Sequence, residues 1–212
     1  RQLVELYILN IFFIELEGET WLSKNNWVIS EDPCSFEGVT CQQITIPVES
    51  GEVEILQKSG PSYKPIGQTV SVVRSIKLPS NGVKGHLPVE LGLMSLTELD
   101  LRNNEIGGPL PYMFPQSLEM INLSHNMFSG EIPQTLGQCH SLNKIQLENN
   151  MLTGQIPSSL AHLDNLKVLK THGNQMEGVV TSQFCLDMLH LLTLTADCKN
   201  REVECDCCTE CH

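Results

Sequence analysis

Apolar and polar residues alternate in short stretches that return at regular intervals through the middle of the chain. Three of these stretches align almost letter for letter at their apolar positions: SLTELDLRNNEIGGPLP from residue 95, SLEMINLSHNMFSGEIP from residue 117 and SLNKIQLENNMLTGQIP from residue 141. Stretches from residues 73 and 165 follow the same template less strictly. Alternation of period two indicates a short strand with one face inward. We therefore predict one strand per copy, and a sixth strand over residues 189–194.

An asparagine follows each of the five predicted strands at a nearly constant interval. It recurs at Asn81, Asn104, Asn126, Asn150 and Asn174. Buried backbone groups need hydrogen-bond partners, so we expect these side chains to bond the turns above and below them. Asp197 occupies the same column after the sixth predicted strand. Because no single copy can bury its apolar side, the copies must stack on one another.

The spacing L-x-x-L-x-L-x-x-N, continued by x-x-x-G-x-[IL]-P, resembles the plant-type leucine-rich repeat over about residues 72–197. This subclass occurs in the ectodomains of plant receptor kinases and in polygalacturonase-inhibiting proteins. The resemblance implies an α/β repeat fold: a right-handed solenoid with a parallel β-sheet on its concave side and disulfide-linked caps at both ends. We expect five repeats over residues 72–184.

Residues 1–41 are similar to the N-terminal cap of secreted plant-type repeat proteins, and they begin with apolar residues at helical spacing. The similarity is carried by Trp21, Trp27, Cys34, Gly38, Val39 and Cys41. It implies a disulfide between Cys34 and Cys41. Residues 42–71 are an insertion in which ITIPVESGEVEIL predicts a hairpin and SGPSYKPIG a loop. An insertion of this length is either functional or a family-specific decoration.

Six cysteines lie in the predicted final strand and C-terminal cap, residues 185–212. They are Cys185, Cys198, Cys205, Cys207, Cys208 and Cys211. An even set in a secreted-type scaffold indicates three disulfides, for which 15 connectivities exist. A zinc site is the weaker alternative, because adjacent cysteines fit four-coordinate geometry poorly. The ending C-x-C-C-x-x-C is similar to secreted repeat proteins of diatoms and related algae. Cys139 occupies an apolar position of the template and is expected to be a buried free thiol.

The concave face of a repeat array is the usual place for binding. The candidate ligand-binding residues are Arg74, Lys77, Asp100, Arg102, Asn122, His125, Lys144, Gln146, Glu148, Lys167, Lys170 and His172. With the other exposed strand positions they include six of the 13 basic and four of the 25 acidic side chains, which leaves seven basic and 21 acidic side chains elsewhere. This contrast favours a polar or anionic ligand. An ordinary solvated sheet face is the alternative interpretation.

Asn122-Leu-Ser124 is the single N-x-[ST] sequon of the chain. We expect Asn122 to point to the concave side, where a glycan would cover the middle of the proposed binding face. The motif alone does not determine whether Asn122 carries a glycan.

Charge and motifs argue against several classes of protein. The formal net charge of −12 argues against nucleic acid or an anionic membrane surface as partner. The longest nearly continuous apolar run, residues 6–14, is too short to cross a bilayer, which takes about 20 residues. The sequence has no H-E-x-x-H, no G-x-S-x-G and no phosphate-binding glycine-rich loop. We therefore expect no catalysis, no cofactor and no metal.

The predicted function is an extracellular or cell-surface recognition module, by itself or as part of a larger chain or assembly. It would bind a protein, a peptide or a glycan through the concave face. Two rivals remain: a structural component of a cell-surface or cell-wall assembly, and an inhibitor of a secreted hydrolase. Fold analogy does not separate them.

Overall fold

The computed structural model describes residues 2–27, 29–46, 68–188, 190–198, 203–205 and 207–212. They form stacked copies of one unit, each with a short strand, a turn, a second short strand and an irregular or 3-10 return. The first strands join into one sheet, together with an antiparallel pair at its beginning and a short strand at its end. In sheet order these are β1 (Val39–Ile46), β2 (Gln68–Lys77), β4 (Glu98–Asp100), β6 (Met120–Asn122), β8 (Lys144–Gln146), β10 (Val168–Lys170), β13 (Thr193–Ala196) and β15 (Glu210–Cys211).

Parallel pairing in strict register explains why the apolar column forms a core. From β2 to β13 the central residues of successive strands are paired. They are Ile76, Leu99, Ile121, Ile145, Leu169 and Leu194, all with 0% exposure. The flanking residues of each strand point to the other side of the sheet. The predicted α/β leucine-rich-repeat solenoid with a parallel sheet is therefore confirmed.

A second sheet lies on another side of the solenoid. Its strands, in chain order, are β3 (Lys84–His86), β5 (Glu105–Pro109), β7 (Met127–Glu131), β9 (Met151–Gly154) and β11 (Gln175–Met176). The glycine of the template x-x-x-G-x-[IL]-P falls in this sheet. Gly108, one of these glycines, has a φ of +74°, and a Cβ atom at this position would lie 2.3 Å from Cδ2 of His86. Glycine adopts this left-handed conformation without strain and leaves room for the His86 side chain of the preceding copy.

The asparagine column forms the predicted ladder; its first four members are buried and Asn174 is half-buried. Asn126 is typical: its Oδ1 accepts from the backbone N–H of Ile106 at 3.1 Å, and its Nδ2 donates to the carbonyls of Leu101 and Leu123 at 2.9 and 3.1 Å. Each asparagine thus joins its own turn to the preceding copy. Together these bonds satisfy backbone groups that the turns would otherwise leave unpaired inside the solenoid.

The sixth strand is displaced from its predicted position over 189–194. It is β13, Thr193–Ala196, and Leu194 pairs with Leu169. Leu192 precedes it and is 71% exposed, so the apolar letters before residue 193 are not part of the strand. Asp197 nevertheless caps the fifth turn, because its carboxylate accepts from the backbone N–H groups of Gly173 and Asn174 at 2.8 and 2.9 Å. A carboxylate has no N–H to donate onward, so the ladder ends there.

Helix α1 (Gln2–Glu15) closes the beginning of the array. It buries one stripe of large apolar side chains, including Phe12 and Phe13, against Trp21 and Trp27. The rings of Trp21 and Trp27 meet edge to face at 5.0 Å between centroids. This cluster covers the apolar end of the first repeat, which is the role of a cap.

The strand after the N-terminal cap pairs with the first repeat. β1 and β2 run antiparallel, from Val39 opposite Ile76 to Ile46 opposite Gln68. Residues 44–46, which begin the predicted hairpin, therefore pair with residues 68–70. The remainder of the predicted hairpin and loop, residues 47–67, lies outside the described residues.

All nine cysteines fall within the described residues, and eight of them form disulfides. The pairs are Cys34–Cys41, Cys185–Cys207, Cys198–Cys211 and Cys205–Cys208. The first is the pair that the family resemblance implies, and the others select one of the 15 connectivities of the C-terminal set. Cys139 is free and buried, as predicted.

The C-terminal disulfides tie the end of the chain to the last repeat. Adjacent Cys207 and Cys208 belong to different disulfides, one reaching helix α2 (Ser182–Asp187) and the other β14 (Val203–Cys205). β14 pairs in parallel with β12 (Gly178–Val180), which directly precedes α2. The cap is therefore held by backbone hydrogen bonds as well as by covalent crosslinks.

Candidate binding face on the concave sheet

Strand register arranges the concave side chains in columns that run across the copies. The first column contains Ser75, Glu98, Met120, Lys144, Val168 and Thr193. The second contains Lys77, Asp100, Asn122, Gln146, Lys170 and Thr195. Residues two positions after β4, β6, β8 and β10 continue the alternation as a third column: Arg102, Ser124, Glu148 and His172. Lys167 precedes β10 and donates its backbone N–H to the carbonyl of Asn143.

The basic side chains at the beginning of this face are held by the protein itself. Lys77 Nζ lies 2.6 Å from Oε2 of Glu98, and Arg102 Nη1 lies 3.5 Å from Oδ2 of Asp100. Arg74 donates to the Gln42 side chain and to a backbone carbonyl, each at 3.0 Å. These three predicted site residues thus already have partners.

Basic side chains further along the face are different. Lys144, Lys167 and Lys170 form no ion pair with any residue that the structure describes. Lys144 and Lys170 stand on adjacent strands, and neighbouring strands lie about 4.8 Å apart. The positive charge that is free to meet a ligand is therefore concentrated between β8 and β10, and the candidate site narrows to this half of the sheet.

Asn122 is on the concave side, as expected, but it is only 3% exposed. Its Oδ1 accepts from the backbone N–H and the hydroxyl of Ser124 at 3.2 and 2.7 Å. A glycan on Asn122 would require this side chain to leave its buried position. Glycosylation of Asn122 stays a prediction. It would cost the protein the burial of Asn122 and its hydrogen bonds with Ser124, which the sequon alone does not indicate.

Glu148 is a buried carboxylate in the third column, with 7% exposure. Its Oε1 accepts from Nε2 of Gln146 at 3.2 Å. Its Oε2 is buried and has no hydrogen-bond partner among the described residues. Buried polar atoms almost always have a partner, so this oxygen is an exception within the candidate site.

Imidazole rings mark the C-terminal edge of the face. His172 Nδ1 lies 2.6 Å from Oγ1 of Thr195, and its ring stacks on His212 at 3.9 Å between centroids. Burial and the neighbouring His212 lower the pKa of His172, while the carboxylates of Glu148 and Asp197 act in the opposite direction. His125, by contrast, is exposed, and its Nε2 lies 3.4 Å from the Asn149 amide.

Thr195 and His212 are two members of this face that sequence reasoning missed. Thr195 continues the second column on the sixth strand, opposite Lys170. The template counted back from Asp197 places Thr193 there instead, because this strand is displaced by two residues. His212 reaches the face because β15 pairs with β13, with Glu210 opposite Thr195. The strand pattern of the sequence carries no signal for that return.

A groove of about 800 Å³ lies elsewhere, beside the second sheet and α2. Glu131, Glu177 and Asp187 are among its lining residues, together with His162 and the half-exposed Val179. None of the candidate concave residues lines it. Acidic side chains outnumber basic ones outside the concave face as a whole, so the acidic lining does not mark this groove as a binding site.

Comparison with known proteins agrees with the repeat architecture. The family model described as leucine rich repeat matches residues 94–152. A relative from Arabidopsis thaliana, Protein STRUBBELIG-RECEPTOR FAMILY 1, is 39% identical over 85 residues, 40% of this chain. The match spans 11% of that relative's length.

Solved structures extend the similarity to nearly the whole chain. The LRR ectodomain of the receptor kinase SOBIR1 from Arabidopsis thaliana covers 94% of both chains with a TM-score of 0.70 and 24% identity. A plant peptide hormone receptor, RGFR1 in complex with RGF2, covers 63% of this chain and 20% of that one, with a TM-score of 0.54 and 26% identity. Within the described residues, no helix has the length and apolar character needed to traverse a bilayer.

Proposed function

We propose that this leucine-rich-repeat solenoid, similar in fold to plant receptor-kinase ectodomains, is a non-catalytic extracellular recognition module. It binds a protein or peptide partner on the concave face between β6 and β13. The observation that carries the proposal is the set of three lysines on this half of the face, Lys144, Lys167 and Lys170, without ion-pair partners among the described residues.

The charge distribution supports an acidic partner segment. Outside the strip of exposed strand positions, the chain carries 21 of its 25 acidic side chains and only seven of its 13 basic ones. An acidic segment is repelled by most of this surface and attracted by the three lysines. Complementary charge of this kind steers association and selects the partner more than it adds affinity.

The similar structures support a protein or peptide as partner. One of them is a plant peptide hormone receptor in complex with RGF2. The candidate residues here lie in an open row along the strands rather than in the enclosed, water-excluding pocket that catalysis requires. The four disulfides fit an oxidising, extracellular compartment.

The test begins with crosslinking at the native cell surface to identify a partner. Binding of that partner is then measured for the double variant Lys144→Glu/Lys167→Glu. We expect affinity to fall at least tenfold at low salt, about 1.4 kcal/mol. The loss should shrink in high salt, because exposed charges are screened beyond about 10 Å at 0.1 M.

The matched control is Lys24→Glu/Lys84→Glu, which changes the net charge by the same amount away from the concave face. Both control lysines sit in exposed ion pairs, with Glu19 and Glu105, so their loss costs little stability. Equal weakening by the two double variants would mean that net charge, rather than the concave face, governs binding. Unchanged binding in the Lys144/Lys167 variant would reject the face altogether.

A further inference from the structure

We infer that Glu148 is the receptor for a primary ammonium group of the ligand, carried by a lysine side chain or by a chain N-terminus. This inference rests on the proposed function, because it places the ammonium group within the concave face. It adds a chemical requirement: the acidic partner segment must also present one amine.

The Glu148 carboxylate is buried and only partly hydrogen-bonded. Glu148 lies in the third column between Ser124 and His172, and its side chain is 7% exposed. Gln146 occupies Oε1, while Oε2 is buried and unpartnered among the described residues. One acceptor oxygen of this carboxylate is therefore not used by the described residues, and a shift of the Glu148 side chain is what exposes it to a ligand.

Asp100, the other buried carboxylate of the face, is 6% exposed and has a counter-charge. Asp100 accepts the backbone N–H of Arg102 at 3.3 Å and faces the Arg102 guanidinium at 3.5 Å. Glu148 forms no ion pair with any described Lys, Arg or His. Since a buried charge without a counter-charge is unfavourable, a cation supplied by a ligand gains an electrostatic partner here that Asp100 does not offer.

The hydrogen bond from Gln146 determines which kind of cation fits Glu148. A guanidinium group pairs best with both oxygens of a carboxylate at once, but Gln146 already holds Oε1. An ammonium group is a compact point charge that can donate to a single oxygen. Lys144 and Lys167, on the same half of the face and without ion-pair partners among the described residues, favour acidic residues elsewhere in the ligand.

The experiment uses the full chain with its disulfides intact and small probes of defined chemistry. Nα-acetyl-lysine amide presents a side-chain ammonium, glycine amide presents an α-ammonium, and Nα,Nε-diacetyl-lysine amide is the neutral control. Each is titrated to millimolar concentration while the backbone amide resonances of Gln146, Glu148 and His172 are followed by NMR. We expect saturable shifts with at least one of the two amines and at least fivefold smaller shifts with the neutral control. The amine that gives the larger shifts identifies the source of the ammonium group.

Two variants distinguish amine binding at Glu148 from non-specific attraction of the amines to an acidic protein. Glu148→Gln keeps an oxygen for Gln146 and removes the charge, so the response to the amines should disappear. Glu119→Gln removes an exposed acidic side chain on the neighbouring copy and should leave the response unchanged. Equal shifts for the amines and the neutral control, no shifts at all, or a full response in Glu148→Gln would each overturn the inference. Saturable shifts with methyl β-glucoside and none with the amines would assign the site to a glycan instead.

A stability measurement distinguishes a binding role from a structural one. If Glu148 awaits a ligand cation, Glu148→Gln removes an unfavourable buried charge and should raise the melting temperature by about 2–4 °C. If Glu148 serves the fold, the same variant should melt at a lower temperature, and the inference falls. The outcome is also separable from the proposed function: weakened partner binding in Lys144→Glu/Lys167→Glu without any amine response would keep the concave face and remove only the ammonium requirement.

Discussion

Replacing Asn104 by alanine should destabilise the protein more than replacing Asn126, although the two side chains have the same exposure, 9%. The difference lies in how many backbone groups have that asparagine as their sole hydrogen-bond partner among the described residues. Asn104 Oδ1 accepts from the N–H groups of Asn81 and Val83 at 2.9 and 3.1 Å, and its Nδ2 donates to the Leu78 carbonyl at 2.8 Å. Among the described residues these three groups have no other hydrogen-bond partner.

Asn126 serves one backbone group alone, the N–H of Ile106. Its other partners keep a second donor when Asn126 is lost. The Leu101 carbonyl retains Asn104, and the Leu123 carbonyl retains Asn150. The carbonyl of Ser124, which also accepts from Asn126, retains the backbone N–H of Asn103. Each buried group left unpaired costs about 1–3 kcal/mol. Asn126→Ala, with one such group, should therefore cost about 1–3 kcal/mol, and Asn104→Ala, with three, about 3–9 kcal/mol.

Guanidinium unfolding with the disulfides intact measures the free energy of unfolding of each variant. Asn143→Ala is the control, because Asn143 lies on the concave side, is only half-buried and should cost almost nothing. Equal losses for Asn104→Ala and Asn126→Ala would refute the count of unpaired groups. A loss for Asn143→Ala as large as that for Asn126→Ala would refute the ladder itself.

Two further predictions concern the cysteines and pH. Alkylation in denaturant should label one thiol, Cys139, without reductant and nine thiols after reduction; two or more labels before reduction would contradict the disulfide set. In the native protein Cys139 should resist alkylation at pH 8, because burial raises its pKa to about 11. Folding lowers the pKa of His172 from its usual 6.5, so as pH falls the imidazole of the unfolded chain is protonated before that of the folded protein. The stability that the neutral ring contributes is therefore fully present above pH 6.5 and is lost as pH falls through the folded-state pKa. Urea midpoints at pH 7.5 and 5 should therefore differ less in His172→Gln than in the wild type, and an unchanged difference would exclude His172 as the cause.

The fold was readable from the sequence because its determinants are repeated. Leu99, Ile121 and Ile145 occupy one column in the sequence alignment and one register position in the sheet. The asparagines after them take the same place in every turn. Each copy of a periodic sequence encodes the same contacts, so the pattern remains recognisable when a single copy is irregular.

Burial on the concave face was not readable in the same way. Alternation places Asp100, Asn122 and Glu148 on the concave side, yet each is less than a tenth exposed. Their exposure depends on side chains in the neighbouring copies and on the curvature of the sheet, neither of which alternation records. The disulfide connectivity was equally inaccessible, because only the folded path brings Cys185 to Cys207 and Cys198 to Cys211.

The arrangement of the disulfides also sets how the molecule yields to a pulling force. Strands bond only to the copies next to them, so tension along the solenoid should peel repeats away one at a time. Each repeat of about 24 residues releases about 80 Å of chain when fully extended. The crosslinks Cys185–Cys207 and Cys198–Cys211 shorten the path through the C-terminal cap, and no disulfide interrupts residues 42–184. The repeats that carry the concave face are thus the part of the protein that extends under force, whereas the disulfide-linked ends resist extension.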